Sequence, residues 1–178
     1  MRTWIFIMSQ EIINRVANSK LETIDLEHFF PKIERVSFDI KPWLKDELFL
    51  LEKNFREKVK NFDWRKYKNK AVYIICSNNA IVPDWAYILI SSQLNTFNIR
   101  NVIGSKEVLN VKLITETVDA FDFSIFKDKP VIIKGCSDQK IPLLAYSVLL
   151  EKLQLEAKSI MFGEACSSVP IYKSSNKF

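Results

Sequence analysis

The stretch AVYIICSNNAIVPDWAY, residues 71–87, decides how the chain is read. AVYIIC is a continuous apolar run with β-branched Val72, Ile74 and Ile75, the pattern of a strand buried on both faces. A polar loop follows. PDWAYILISSQL then reads as a helix, with Pro83 suited to its first turn and Asp84 to the positive end of its dipole. PVIIKGCSDQKIPLLAY, residues 130–146, repeats the shape, and KSIMFGEACSSVPIYK, residues 158–173, repeats part of it.

Outward from this unit the alternation continues. RNVIG (100–104) predicts a short strand, KEVLNVKLITETVDAF (106–121) a helix and PVIIKG (130–135) a strand. PLLAYSVLLEKLQL (142–155) predicts a helix and AKSIMFG (157–163) a last strand. Strands alternating with helices predict an α/β fold, a mostly parallel sheet flanked by helices. Upstream the pattern is different. Residues 19–34 have no clean period and read as an irregular entry segment. Residues 35–40 and 46–51 alternate roughly at period two around Pro42 and predict an N-terminal β-hairpin annex. Asn54 and Glu57 have capping-box spacing for a helix to about Phe62, which continues irregularly through DWRKY.

Length and composition fit one globular α/β domain over residues 8–173, with an N-terminal extension, 1–7, and a C-terminal tail, 174–178. The chain has 178 residues, 48% hydrophobic and 26% charged. MRTWIFIM is too short to span a bilayer, and the SQEIINR that follows has no cleavage pattern, so a cytoplasmic protein with no membrane partner is expected. Ser9 suits the cap of a helix over about 10–18. The net charge is +5 with a pI near 9.0. The lysines are interleaved with acids, and the densest group, WRKYKNK (64–70), suits a solvated helix end, so nucleic acid is not the expected partner.

Only three glycines occur, Gly104, Gly135 and Gly163, each ending an apolar run. Their scarcity excludes GxGxxG and GxxxxGK[ST], so neither standard nucleotide-phosphate loop is present.

The three cysteines occupy matched places. Cys76 ends one predicted strand, Cys136 follows Gly135, and Cys166 lies three residues beyond Gly163. Each is followed by serine and then by Val-Pro or Ile-Pro: Val82-Pro83, Ile141-Pro142 and Val169-Pro170. The first two continue to Ala86-Tyr87 and Ala145-Tyr146. In one parallel sheet all carboxyl ends share an edge, where open α/β folds build their sites. That placement predicts a metal site of Cys76, Cys136 and Cys166, holding zinc or an iron–sulfur cluster. Asp138, Asp84 and Glu164 are rim candidates for a fourth ligand, with His28, the only histidine, as another. Two other readings stand beside it. A thiolate activated by Lys134 and helix ends, or a metal-bound water, would serve an enzyme acting on a small substrate. Alternatively the cysteines are buried packing in a scaffold or partner protein, since cysteine is among the most buried residue types. Ser77, Ser137 and Ser167 read as turn formers, and Trp85, Tyr87 and Tyr146 as packing residues.

CSNNAIVPDWAY, IKGCSD and KSIMFGEACSSVPIYK, with EIINRVANSKLETIDLE and FREKVKNFDW, resemble a bacterial family known only as domain of unknown function 2480. The resemblance runs from Met8 to Lys173. It implies no particular reaction. It does imply a link to iron–sulfur metabolism and a protein partner there, which would suit the cysteine site. The oligomeric state is not legible in the sequence.

Overall fold

The computed structural model describes residues 21–78, 80–135, 141–164 and 167–174. The extension at 1–7 and the helix expected over 10–18 lie outside the described residues, as does the tail beyond Ser174. The described chain falls into two compact units. One holds residues 26–122 and 141–151, the other 21–25, 123–135, 152–164 and 167–174.

In chain order the elements are β1 (Glu22–Ile24), β2 (Glu34–Asp39), α1 (Glu52–Asn61), β3 (Lys70–Ile75), α2 (Asp84–Thr96) and β4 (Asn101–Ile103). They continue with α3 (Lys106–Asp119), β5 (Pro130–Ile133), α4 (Leu143–Glu156), β6 (Ser159–Glu164) and β7 (Ser167–Lys173). The α/β alternation from β3 to β6 follows the sequence expectation. The strands form two sheets: a three-stranded parallel sheet, β2-β3-β4, and a four-stranded one, β1-β5-β6-β7. In the second, β1, β5 and β6 are parallel and β7 is antiparallel to β6.

β3 is the centre of the first unit. Its Val72 and Ile74 face one side, where they pack with Phe38, Phe55, Val59, Ala86, Ile90 and Leu94. Ala71 faces the other side and packs with Leu109 and Leu113 of α3. All of Ala71, Val72 and Ile74 are fully buried, which is why the run carries no polar residue. An aromatic group closes the α1 side: Phe62 and Trp64 lie 4.7 Å apart edge to face, and Trp43 lies 5.0 Å from Phe38. Such pairs add about 0.5–1.5 kcal/mol each beyond burial. The buried Trp64 indole is satisfied, donating to the Val59 carbonyl at 3.0 Å.

Two sequence expectations are corrected. No hairpin joins residues 35–40 to 46–51: β2 pairs in parallel with β3, Glu34 opposite Lys70 and Asp39 opposite Ile75. Residues 44–50 instead form a turn closed by a Lys45–Phe49 bridge, with Asp46 and Glu47 at positive φ. Asn54 does not cap α1. The helix starts at Glu52 with Leu51 as N-cap and no side-chain cap, and Glu52 supplies the acidic first turn and an ion pair to Arg56 at 2.8 Å. After the third cysteine the chain forms the edge strand β7, which holds Pro170 where a missing N–H is tolerated. No helix among the described residues is long and apolar enough to cross a membrane.

Candidate functional site

The two complete sequence repeats share an element order and the turn at proline. β3 leads through Pro83 into α2, and β5 precedes Pro142 and α4. In each the proline carbonyl accepts from the alanine three residues on, Ala86 N–H at 3.0 Å and Ala145 N–H at 2.9 Å. Both alanines are fully buried. A neighbouring parallel strand sets an aspartate beside each strand end. Asp39 closes β2 opposite Ile75, and Asp25 follows β1 beside Lys134.

Asp39 Oδ1 accepts from the backbone N–H of Lys41 and of Ser77, both at 3.0 Å, and so ties the turn after β2 to the turn after β3. Partial burial pushes this carboxyl up. The hydrogen bonds from Ser77 and from the Lys41 backbone, with the Lys41 charge, outweigh it and hold Asp39 below its ordinary pKa. Lys41 is held above its own by the hydrogen bond and charge of Glu47, 2.9 Å away.

Cys76, half-buried, follows β3 directly, and its Sγ donates to Asn78 Oδ1 at 2.9 Å. The same oxygen accepts from Ala80 N–H at 3.2 Å, and the Asn78 amide donates to the Glu47 carbonyl. Asn78 therefore braces the loop after β2 against the loop after β3. Between those loops lies an open cleft of about 420 Å³, lined by Leu48, Phe49, Leu50, Ala80, Ile81 and Pro83. Leu48, Phe49 and Ile81 are 53%, 62% and 91% exposed, an apolar cluster left in water. Tyr87, in the second turn of α2, packs against the core. Burial first, then the charges of Cys76, Asp39 and Asp84, push its phenol above its ordinary value. Asp84 is exposed in the first turn of α2.

The expectation of a single rim for three cysteines rested on a single sheet. β3 before Cys76 belongs to the three-stranded sheet, whereas β5 and β6, before Cys136 and Cys166, belong to the four-stranded one. Strand alternation does not by itself bring these three together. Cys136, Asp138 and Cys166 lie outside the described residues. Their flanks do not. At Gly135 an added Cβ would stand 3.2 Å from Gly163 Cα and 3.2 Å from the Phe162 ring, so the ends of β5 and β6 touch through glycine. Lys134 Nζ bonds Asp25 Oδ2 at 3.0 Å, and Asp25 is 9% exposed, so the lysine is engaged with a buried carboxylate. His28 is exposed in a short 3-10 segment, Leu26–Phe29, and Glu164 is exposed at the end of β6. Among the described residues no three of His, Cys, Asp and Glu stand together as a metal-holding group. Sequence reasoning missed Asp39 and Asn78. Asp39 ends an alternating run, SFD, the one signal that could have placed it at a strand's carboxyl end.

No curated protein and no solved structure matches the chain. The family model described as "Protein of unknown function (DUF2480)" matches residues 10–174, nearly the whole chain, and the chain belongs to that family.

Proposed function

We propose that the chain binds a small, largely apolar ligand in the cleft between residues 44–50 and 80–83, with the Cys76 thiol at the polar end of the site. The observation that carries this reading is Asn78. It holds the thiol and joins both cleft walls, in the crevice where parallel sheets accept ligands. The exposed Leu48, Phe49 and Ile81 supply the apolar contact. A thiol there would serve as a ligand to a soft group or as a nucleophile toward an electrophilic substrate, once its proton leaves the bond to Asn78 and passes to solvent water or buffer.

The test is native-state alkylation with N-ethylmaleimide in metal-free buffer, read by peptide mapping. Cys76 is expected to label without unfolding, and the apolar probe 1-anilinonaphthalene-8-sulfonate to slow that labelling. F49S/I81S should abolish the protection and leave the bare rate unchanged. Labelling of Cys76 only at the rate of global unfolding would reduce it to packing and end the proposal.

A second reading, a thiolate metal centre holding zinc or an iron–sulfur cluster, is favoured by the glycine contact between the ends of β5 and β6. It assigns the centre to Cys136 and Cys166, one and three residues beyond Gly135 and Gly163. A link to iron–sulfur metabolism, through a protein partner, belongs to this reading. Anaerobic purification and metal per chain test it: C136A or C166A should lose the metal and C76A should keep it. A chain without metal, or loss in C76A alone, would overturn this assignment.

A further inference from the structure

The amino edge of the three-stranded sheet gathers residues that the sequence scatters. Parallel strands place all their amino ends together. Lys32 precedes β2, Lys68 and Asn69 precede β3, Lys70 opens it, and Arg100 precedes β4. These residues, with Phe97, line one cleft of about 540 Å³, within the usual volume of a small-ligand site. Ile33 and Ile99 give it an apolar floor.

Its cations outnumber its acids. Lys70 pairs with Glu34 at 3.0 Å and Arg100 with Glu116 at 3.6 Å. Among the described residues Lys32 and Lys68 make no ion pair, and both are exposed. The walls are set in advance. The Arg35 guanidinium donates to the carbonyls on either side of Lys32, Pro31 at 3.0 Å and Ile33 at 2.6 Å, and its Nε reaches Asn110 Oδ1 at 2.8 Å. Val72 N–H donates to the Arg100 carbonyl at 2.9 Å, fixing the other wall to β3. Asn69 and Asn98 hold positive φ, of 63° and 55°, where asparagine is tolerated at turns and helix ends. One feature opposes an anion: α2 ends here, at its negative pole. Two of its last carbonyls are already occupied: Leu94 accepts from Phe97 and Ile99, and Asn95 accepts from Asn98.

We propose that this cleft binds a phosphate-bearing small molecule of nucleotide size, its phosphates between Lys32, Lys68, Lys70 and Arg100 and its ring against Phe97, which is 38% exposed. The site is separate from the Cys76 cleft and does not depend on it. Lysines and an arginine on a preset frame recognise phosphate without the glycine loops that this chain lacks.

The experiment is calorimetric titration of the full chain with ATP, with pyrophosphate and with a dT12 oligonucleotide. ATP and pyrophosphate should saturate at one per chain. K32E/K68E should weaken both by about tenfold or more. K53E/K60E, the same charge change on α1, should leave both within about twofold of the unchanged chain, beyond long-range screening. If K32E/K68E loses its helical circular dichroism, K32Q/K68Q replaces it, with the same direction expected. Equal weakening by K53E/K60E would mean general charge attraction and overturn the site. So would a lack of saturable binding. dT12 binding more tightly than ATP, with affinity rising with length, would replace the small molecule by a single strand.

Discussion

Asp39 gives the sharpest prediction. One carboxylate oxygen accepts two backbone N–H groups at 3.0 Å, and through them joins the turns after β2 and β3. A hydrogen bond to a charged acceptor contributes about 1.5–3 kcal/mol when buried, and half-exposure brings the pair to about 2 kcal/mol in total. D39A should therefore lose about 2 kcal/mol and D39N, which keeps an acceptor oxygen, about 1 kcal/mol. With a urea dependence of about 2 kcal/mol/M, these are midpoint shifts of about 1 M and 0.5 M. The pH dependence follows from the lowered native pKa. Asp39 binds its proton more weakly folded than unfolded, so its stabilisation is present above the ordinary value of 3.8. It is lost as the pH falls from there through the native value. Urea melts at pH 7 and pH 3, followed by tryptophan fluorescence, should show the gap between the unchanged chain and D39N at pH 7 and a smaller gap at pH 3. Equal midpoints at pH 7 for all three chains would refute the anchoring role. A D39N deficit of the same size at both pH values would refute its electrostatic origin.

Two other outcomes are expected. At Gly163, φ is +125° and an added Cβ would stand 2.5 Å from the Ser167 carbonyl, so G163A should cost about 2–4 kcal/mol, lowering the thermal midpoint and loosening the β6–β7 pairing in hydrogen exchange. Tyr87 should titrate above 10.0 by ultraviolet difference absorbance, and its stabilisation, complete below that value, should fade as the pH rises through the native one; Y87F should remove that step.

Much of the fold was legible because β3 through β6 carry local signals strong enough to stand alone. AVYIIC is buried on both faces, Ala86 and Ala145 repeat behind proline, and α2 and α3 begin where the sequence expectation put them. What stayed hidden depended on pairing at a distance. Residues 46–51 alternate as a strand would, yet Leu48 and Phe49 are exposed, because the chain turns back on itself here through the Lys45–Phe49 bridge instead of pairing with β2. β1 is only three residues long, and its burial is supplied by β5, more than a hundred residues later. β7 carries Pro170 and a mostly exposed pattern, so nothing in its composition marks it as a strand beyond its partner β6. Alternation of strands and helices likewise does not state how many sheets they form. Asp39 and Asn78 were hidden for a related reason: their roles consist of bonds to Ser77 and Glu47, which neighbour them only after β2 and β3 pair.

The strand order of the three-stranded sheet also separates two kinds of chemistry. At the carboxyl edge of β2-β3-β4 stand Asp39, Asp84, a thiol and an apolar cleft; at the amino edge stand Lys32, Lys68, Lys70 and Arg100. β3 is six residues long, so the two edges are about 20 Å apart, beyond the range in which substitutions usually couple. D39N and K32E/K68E combined should therefore lose stability and anion affinity as the product of their separate effects. A departure of more than about threefold, beyond the ~0.5 kcal/mol expected of independent sites, would mean that a ligand at one edge is felt at the other. Linkage would then require the reverse effect of equal size, with the anion altering the Cys76 alkylation rate through the population of an open loop. Without such coupling the two proposed sites are independent on one short sheet, and each stands or falls on its own titration.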